Sequence, residues 1–418
     1  MAMIAGIICE YNPFHNGHQL QIGKLREAYG ADAVVCAMSG YFMQRGEPAV
    51  VGKERRIMTA LSCGADLVIE LPALYATRSA YWFALGGVSL LAAAGVTHLA
   101  FGAETDDLPA LEDTAARLAK PDAVYREGLR RFLKAGLPFV EAQAKALNYG
   151  DCRHFVPSLP NDRLALSYLQ VIAEKALPLS PVLIPREGGA YHESALPDDR
   201  AGIASATAIR KRLAESADRY GSRKLSAAQL KAAGLSRYIP EAALPYLADT
   251  RLIFPADAAA IQLALLRRAD LPTLAALPDM GEGLENRVYG AAGRVASLED
   301  FYRLLKTRRY TMTRIQRLTT HMFIGYREDH ARRIAEGPPY IRVLGANATG
   351  RRLLHQAKEN GPLPLIAKTG RMKELIRRDS HAAVAWEIEL RAAAMYSLIS
   401  DADYAAGNPE YLFRPIML

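Results

Sequence analysis

Two histidines stand three residues apart in the segment Glu10-Tyr11-Asn12-Pro13-Phe14-His15-Asn16-Gly17-His18. At that spacing His15 and His18 share one face of a helix that starts there. Two imidazoles so placed donate hydrogen bonds to charge developing on a transferred phosphorus. Gly17 lets a phosphate come close to the main chain, and a helix N-terminus supplies unpaired N–H groups and a partial positive charge. The plain alternative is a pair of ordinary loop histidines. A zinc pair is disfavoured because no third ligand is evident, and no metal site is assigned.

A second constellation is Ser205-Ala206-Thr207-Ala208-Ile209-Arg210, running into Lys211-Arg212-Leu213. Ser205 is suited to cap a helix whose N-terminus is a second phosphate site. Alone, it reads as a capped helix and nothing more. Gln44 and Arg45, in Ser39–Glu47, follow an expected strand and face either a small substrate or a solvated loop.

Charge concentrates late in the chain. From Arg303 to Arg317 there are six basic residues and no acidic one: Arg303, Lys306, Arg308, Arg309, Arg314 and Arg317, with Tyr302 and Tyr310 alongside. Between Arg351 and Arg378 there are eight more Lys or Arg against two Glu. A charge run by itself is a solvated face. Two clusters with aromatics among them point to an RNA surface, with Arg308, Arg309, Arg314 and Arg317 as the contacts.

The elements that must position these residues alternate in the first half. Strands are expected at Met3–Cys9, Ala33–Met38, Asp66–Glu70, Thr97–Phe101 and Pro181–Ile184, and helices at Gly17–Tyr29, Lys53–Cys63 and Ala76–Ala94. Such alternation predicts an α/β fold with a parallel sheet and right-handed crossovers. Ligands bind beyond the carboxyl ends of such strands, where the polar signatures sit. After about residue 213 helical runs dominate, for example Ala258–Arg268, Leu298–Thr307 and Ala382–Ser397. The expected division is therefore a catalytic domain over 1–215 and a mainly helical domain over 225–418.

The 418 residues are half hydrophobic, enough for real cores, and no tract is low-complexity. The four cysteines, Cys9, Cys36, Cys63 and Cys152, form no CxxC pair. Reduced thiols and a cytoplasmic location fit best. The apolar N-terminus lacks a basic region and reads as a buried strand. Tyr81–Ala100 is apolar but interrupted by Gly86, Gly87 and Gly95, so no membrane span is expected. The net charge of +8 favours a polyanionic partner.

Taken together, the two helix starts resemble the HxGH nucleotidylyltransferase superfamily. Ala206 departs from the usual hydroxyl residue at its position, which removes one phosphate contact. Gly6–His18, Ser39–Glu47, Phe101–Glu104, Pro160–Asp162, Arg186–His192 and Lys306–Arg317, in that order, narrow the likeness. The set looks like the bacterial tRNA(Met) cytidine acetate ligase family, over nearly the whole chain. The resemblance implies a Rossmann-like domain that activates acetate with ATP to acetyl-adenylate and releases pyrophosphate. The acetyl group then passes to N4 of the wobble cytidine of elongator tRNA(Met), and AMP leaves. It also implies an ATP site formed by Ile7, Glu10, Tyr11, Asn12, Pro13, Phe14, Asn16, Gly17 and Leu20, with Gly102, Asn161, Arg186, Ser205, Thr207 and Arg210. His15 and His18 are the catalytic pair. Mg²⁺ is expected from ATP chemistry, and no obligate protein partner is evident. Cys9 is set aside as a nucleophile: it lies in an apolar strand, and adenylate chemistry needs no acyl-enzyme. Two other readings remain: a nucleotidylyltransferase acting on a small molecule, and a non-enzymatic RNA-binding protein with a relic nucleotide fold.

Overall fold

The structure is a computed structural model. It describes residues 2–150, 153–157, 159–185, 196–197, 202–281, 283–400 and 407–418. Arg186, the motif Arg186–His192 and Cys152 lie outside the described residues.

The first half runs β1 (Ile4–Cys9), α1 (Asn16–Glu27), β2 (Ala33–Ser39), α2 (Lys53–Ser62), β3 (Leu67–Leu71), α3 (Ala73–Ala76), α4 (Ala80–Ala93) and β4 (His98–Ala103). Four helices follow before the next strand: α5 (Leu108–Ala119), α6 (Ala123–Lys134), α7 (Phe139–Leu147) and α8 (Pro160–Lys175). Then come β5 (Ser180–Pro185) and α9 (Ala206–Tyr220). The β-branched and small residues of these strands are buried on both faces, as a sheet covered by helices on both sides requires.

The second half supplies α10 (Ala227–Ala232), α11 (Leu244–Leu247), α12 (Pro255–Arg268), α13 (Leu271–Ala275), α14 (Leu284–Ala292), α15 (Leu298–Leu305), α16 (Met312–Ile324) and α17 (Glu328–Arg333). It ends with β6 (Ile341–Ala346), α18 (Ala348–Asn360), β7 (Leu365–Ile366), α19 (Thr369–Ile376), α20 (Ser380–Ser397), α21 (Pro409–Leu412) and β8 (Ile416–Met417). The helices dominate, but β6, β7 and β8 are strands the sequence reading did not place. β6 pairs antiparallel with β3, so the second half extends the sheet of the first.

The strand order is β5-β4-β1-β2-β3-β6-β7, with β8 beside β6. β5, β4, β1, β2 and β3 are mutually parallel. The chain moves outward from β1 to β3, then returns to place β4 on the other side of β1. The order therefore reverses between β1 and β4, and sheets of this kind bind ligands beyond the carboxyl ends of the strands at such a reversal. The histidine turn follows β1, and Gly102 lies near the end of β4. No helix among the described residues is long and apolar enough to cross a membrane.

Beneath the loop that leaves β2, a set of charges is buried. Lys53 Nζ donates to Glu70 at 2.8 Å and also pairs with Glu410. Arg342 pairs with Glu70 at 3.0 Å and with Glu410. These residues come from α2, β3, β6 and α21, so the network joins the two halves. Burial alone would raise the Glu410 carboxyl, but Arg342 and Lys53 outweigh it and hold it at about 2. Burial and the neighbouring Glu70 push Glu389 well above the usual carboxylate range. A second knot fixes α16. Arg78 and Arg317 face Asp279 at 3.4 and 3.5 Å, and His321 Nε2 donates to Thr77 O at 2.8 Å.

Removing Lys53 leaves Glu70 and Glu410 buried with Arg342 to share between them. Lys53→Met is expected to cost about 3–5 kcal/mol, read from urea unfolding; an unchanged midpoint refutes the role given to this network. Burial lowers His321 to about 4, so the folded protein holds it neutral while the unfolded chain protonates near 6.5. Stability should therefore fall as pH drops from about 6.5 to 4, by up to about 3 kcal/mol. Unfolding midpoints across that range should fall less steeply in His321→Gln; equal slopes exclude His321 as the source.

Candidate active site

The turn after β1 is built from buried aromatic residues. Tyr11 takes φ +47° and is 1% exposed. Its hydroxyl lies 3.3 Å from Cys36 Sγ. The Tyr11 ring meets Phe14 edge-on at 4.7 Å and His18 at 4.9 Å. Asn12 Oδ1 accepts from Val50 N at 2.7 Å.

His15 is the N-cap of α1. Its Nδ1 accepts from Gly17 N at 3.1 Å, while His18 Nδ1 accepts from His15 N at 3.2 Å. The histidines thus cap the helix reciprocally, in the place usually held by Ser or Thr and Glu or Gln. The rings stack with centroids 3.7 Å apart. A nitrogen that accepts a hydrogen bond carries no proton, so the hydrogen-bond pattern assigns the proton of each neutral ring to Nε2. The capping arrangement therefore orients two Nε2–H donors at a helix N-terminus. A Cβ on Gly17 would come within 3.0 Å of the His15 ring, so glycine makes room for the capping imidazole.

The second helix start lies beside the first. Asn16 Nδ2 donates to Gly202 O and Arg237 O, both at 2.9 Å. Ser205 Oγ accepts from Ala208 N at 3.0 Å and caps α9. Arg210 donates to Asn12 O at 2.9 Å and lies 3.4 Å from Glu47 and 3.5 Å from Thr207 Oγ1. Arg210 therefore ties the turn to α9, and Asn16 ties it to Gly202 just ahead of α9 and to Arg237, over separations of some two hundred residues. These bonds give them a structural task besides the nucleotide contact expected of them.

The nucleotide residues expected from β4 and α8 also meet. Asn161 Nδ2 donates to Glu104 Oε1 at 2.5 Å, and Asp162 N donates to Glu104 Oε2 at 2.9 Å. Asp162 Oδ1 in return accepts from the N–H groups of Glu104 and Thr105. This clasp fixes Asn161 beside the strand end that carries Gly102. Glu104 and Asp162 were not singled out by residue type, although both lie inside the motifs FGAE and PND. Ile7 is a buried β1 residue whose side chain packs in the apolar core on one face of the sheet, with Ile22 and Leu25 of α1. Pro13 is buried in the turn and Leu20 is half-buried on α1.

The loop 40–52 closes the site's other flank. Gln44 N donates to Glu10 Oε1 at 2.6 Å. Burial raises the Glu10 carboxyl, while the Gln44 N–H, Arg210 and Arg45 oppose that rise. On its far side the loop meets α16: Thr320 Oγ1 donates to Gly46 O at 2.8 Å. Gly46 has φ +78°, and a Cβ there would run into the main chain of Gln316. Cys9 is buried, and burial with the nearby Cys36 lifts its thiol well above its ordinary value. It stays protonated, which agrees with its exclusion as a nucleophile.

The basic segment is a helix–loop–helix. Arg317 is mostly buried against Asp279, and Arg314 Nε donates to Asp279 O at 3.0 Å. Burial alone would raise Asp279, but Arg78 and Arg317 hold it below its ordinary value. Arg308 and Arg309 are exposed on the loop between α15 and α16.

A model of the HIGH nucleotidyl transferases matches residues 1–409. A tRNA(Met) cytidine acetate ligase of Syntrophomonas wolfei is 36% identical over 95% of this chain and 94% of its own length. One from Clostridium perfringens is 32% identical over 99% of both chains. The chain belongs to the tRNA(Met) cytidine acetate ligase family. Within that family, the crystal structure of Thermotoga maritima TmcAL bound with alpha-thio ATP is 27% identical. It superposes with a TM-score of 0.87, covering 100% of this chain and 99% of that one.

Arg210→Met severs the tie between α9, the turn and Glu47. ATP affinity is expected to fall about tenfold, with a stability loss of about 1–2 kcal/mol from the stranded Asn12 carbonyl. ATP titration and melting curves check this; unaltered ATP binding refutes the assignment.

Proposed function

We propose that this enzyme uses ATP to activate acetate and transfers the acetyl group to N4 of the wobble cytidine of elongator tRNA(Met). The observation that carries the reading is the reciprocal histidine cap, set at the strand-order reversal beside a second capped helix start. The names of the relatives supply acetate and the tRNA.

In the first step an acetate oxygen attacks the ATP α-phosphorus, and the bond to the departing pyrophosphate breaks. Nε2–H of His15 and His18, with the α1 N-terminus, stabilise charge on the phosphates. Ser205, Thr207 and the α9 N-terminus serve the same polyanion. The clasped β4 and α8 ends, with Gly102 and Asn161, receive the nucleoside, and Arg186 adds a further contact. In the second step the cytidine N4 attacks the acetyl carbonyl, loses a proton, and AMP leaves. Holding N4 against a reactive mixed anhydride supplies much of the rate.

Among the described residues no group of three or more His, Cys, Asp or Glu is placed to hold a metal. Mg²⁺ therefore enters this reading as an ion carried on the phosphates of ATP. Residues 1–215 carry the adenylate chemistry, and 225–418 carry much of the tRNA surface, with Arg308 and Arg309 as its exposed cations. The free, buried Cys9, Cys36 and Cys63 fit the cytoplasm, where tRNA is modified.

The test is pyrophosphate exchange with acetate as sole acceptor. His18→Ala should reduce exchange about 10²–10³-fold. It should also cost about 1 kcal/mol of stability through the lost cap, while tRNA still binds. Full activity in that variant would remove the histidine pair from the mechanism. Exchange supported by another small acid or phosphate ester, and silence with acetate, favours the small-molecule reading.

A further inference from the structure

The crossover from β4 to β5 needs one helix, yet four occupy it. α5 and α8 pack together within the crossover, and α6 and α7 pack mainly on each other, forming a hairpin outside that pair. The hairpin's inner face is Tyr125, Gly128, Leu129 and Phe132, with Phe132 against the Tyr149 ring at 5.9 Å. Its outer face is unusual in two ways. Arg126, Arg130 and Lys134 recur every four residues along α6, all exposed, with no ion pair among the described residues. Like charges at that spacing repel one another, and although Glu127 is exposed on the same helix, an anion laid along the ridge would relieve that repulsion. At the turn, Leu133, Phe139 and Val140 are 42%, 54% and 50% exposed.

The hairpin also reaches the basic loop of the second half. Arg308 lies 3.4 Å from Glu141 of α7. That exposed pair contributes little stability, but it makes the hairpin and the loop 306–311 one continuous surface. We propose that this surface holds RNA: the α6 ridge and Arg308–Arg309 track the phosphate backbone, and the Phe139 ring stacks on an unpaired base. Cationic side chains with an exposed aromatic ring are the combination that binds single-stranded nucleic acid. A purely apolar partner would leave the cationic ridge unanswered. The inference rests on the tRNA reading above and adds a second contact site, within the first half of the chain.

Full-length enzyme is tested against an unmodified tRNA(Met) transcript at several salt concentrations, with acetate-dependent pyrophosphate exchange measured in parallel. Arg130→Glu with Lys134→Glu should weaken tRNA binding at least tenfold and lower the slope of log affinity against log salt by about 1–2. Phe139→Ala should weaken binding about 5- to 100-fold with the salt slope kept. Exchange should stay within about twofold in both, because these side chains lie outside the ATP site. Wild-type tRNA affinity and slope in both variants overturn this proposal and leave the parent reading standing. A wild-type enzyme that binds no tRNA overturns the parent reading itself. Self-association lost in the variants, with tRNA affinity retained, would make the patch a contact between copies and overturn the RNA assignment.

Discussion

Four buried charges join the two halves of this molecule. Lys53 and Arg342 sit between Glu70 and Glu410, and each of the four comes from a different element. A charge removed from water is tolerated only where its partners are fixed around it. That requirement specifies how β6 and α21 sit against α2 and β3. It turns two stretches of unlike pattern into one sheet. The loop 40–52 leads from β2 to Lys53 at the start of α2, and it touches both the segment that leads into the histidine turn, through Gln44 and Glu10, and α16, through Gly46. The histidine turn and the basic helices are therefore mechanically adjacent, although Glu10 and Gln316 are far apart in sequence.

In the mechanism proposed above, the two histidines serve structure and chemistry by one arrangement. Each uses Nδ1 to satisfy an orphan N–H at the start of α1. That commitment fixes both tautomers and both ring planes, so the opposite nitrogens become donors without any motion during the reaction. Preorganisation of this kind is what makes donors effective toward a charged transition state. Arg210 works similarly at one remove. Its bonds to Asn12 and its approach to Glu47 set the second helix start against the first.

Much of the fold was legible because its signals are local. The five parallel strands and the helices that link the first four of them show as alternating apolar runs, and structure and sequence agree on them to within a few residues, whereas the helices α5–α8 between β4 and β5 were not placed. β6 was missed because its six residues sit among long helical runs, where a short apolar stretch has no periodicity of its own. The basic segment was legible as composition but not as geometry. Arg308 and Arg317 look alike in sequence, yet one is open to solvent and the other is buried beside Asp279. Glu104 and Asp162 were overlooked as individuals because acidic residues near a strand end and a helix start look like ordinary caps.

The sequence alone determined the histidine turn and the second helix start, because each rests on spacing within a dozen residues, and the α/β class, because short apolar runs alternate with helical ones along the first half. It also carried the family resemblance, which is a property of motifs in order. Tertiary structure decided which of those side chains hold distant parts of the chain together. Asn16 and Arg210 are bonded to groups nearly two hundred residues away, and Arg317 meets an aspartate on another segment. The partner of a charged side chain is set by where the chain folds back, and local pattern carries no record of it.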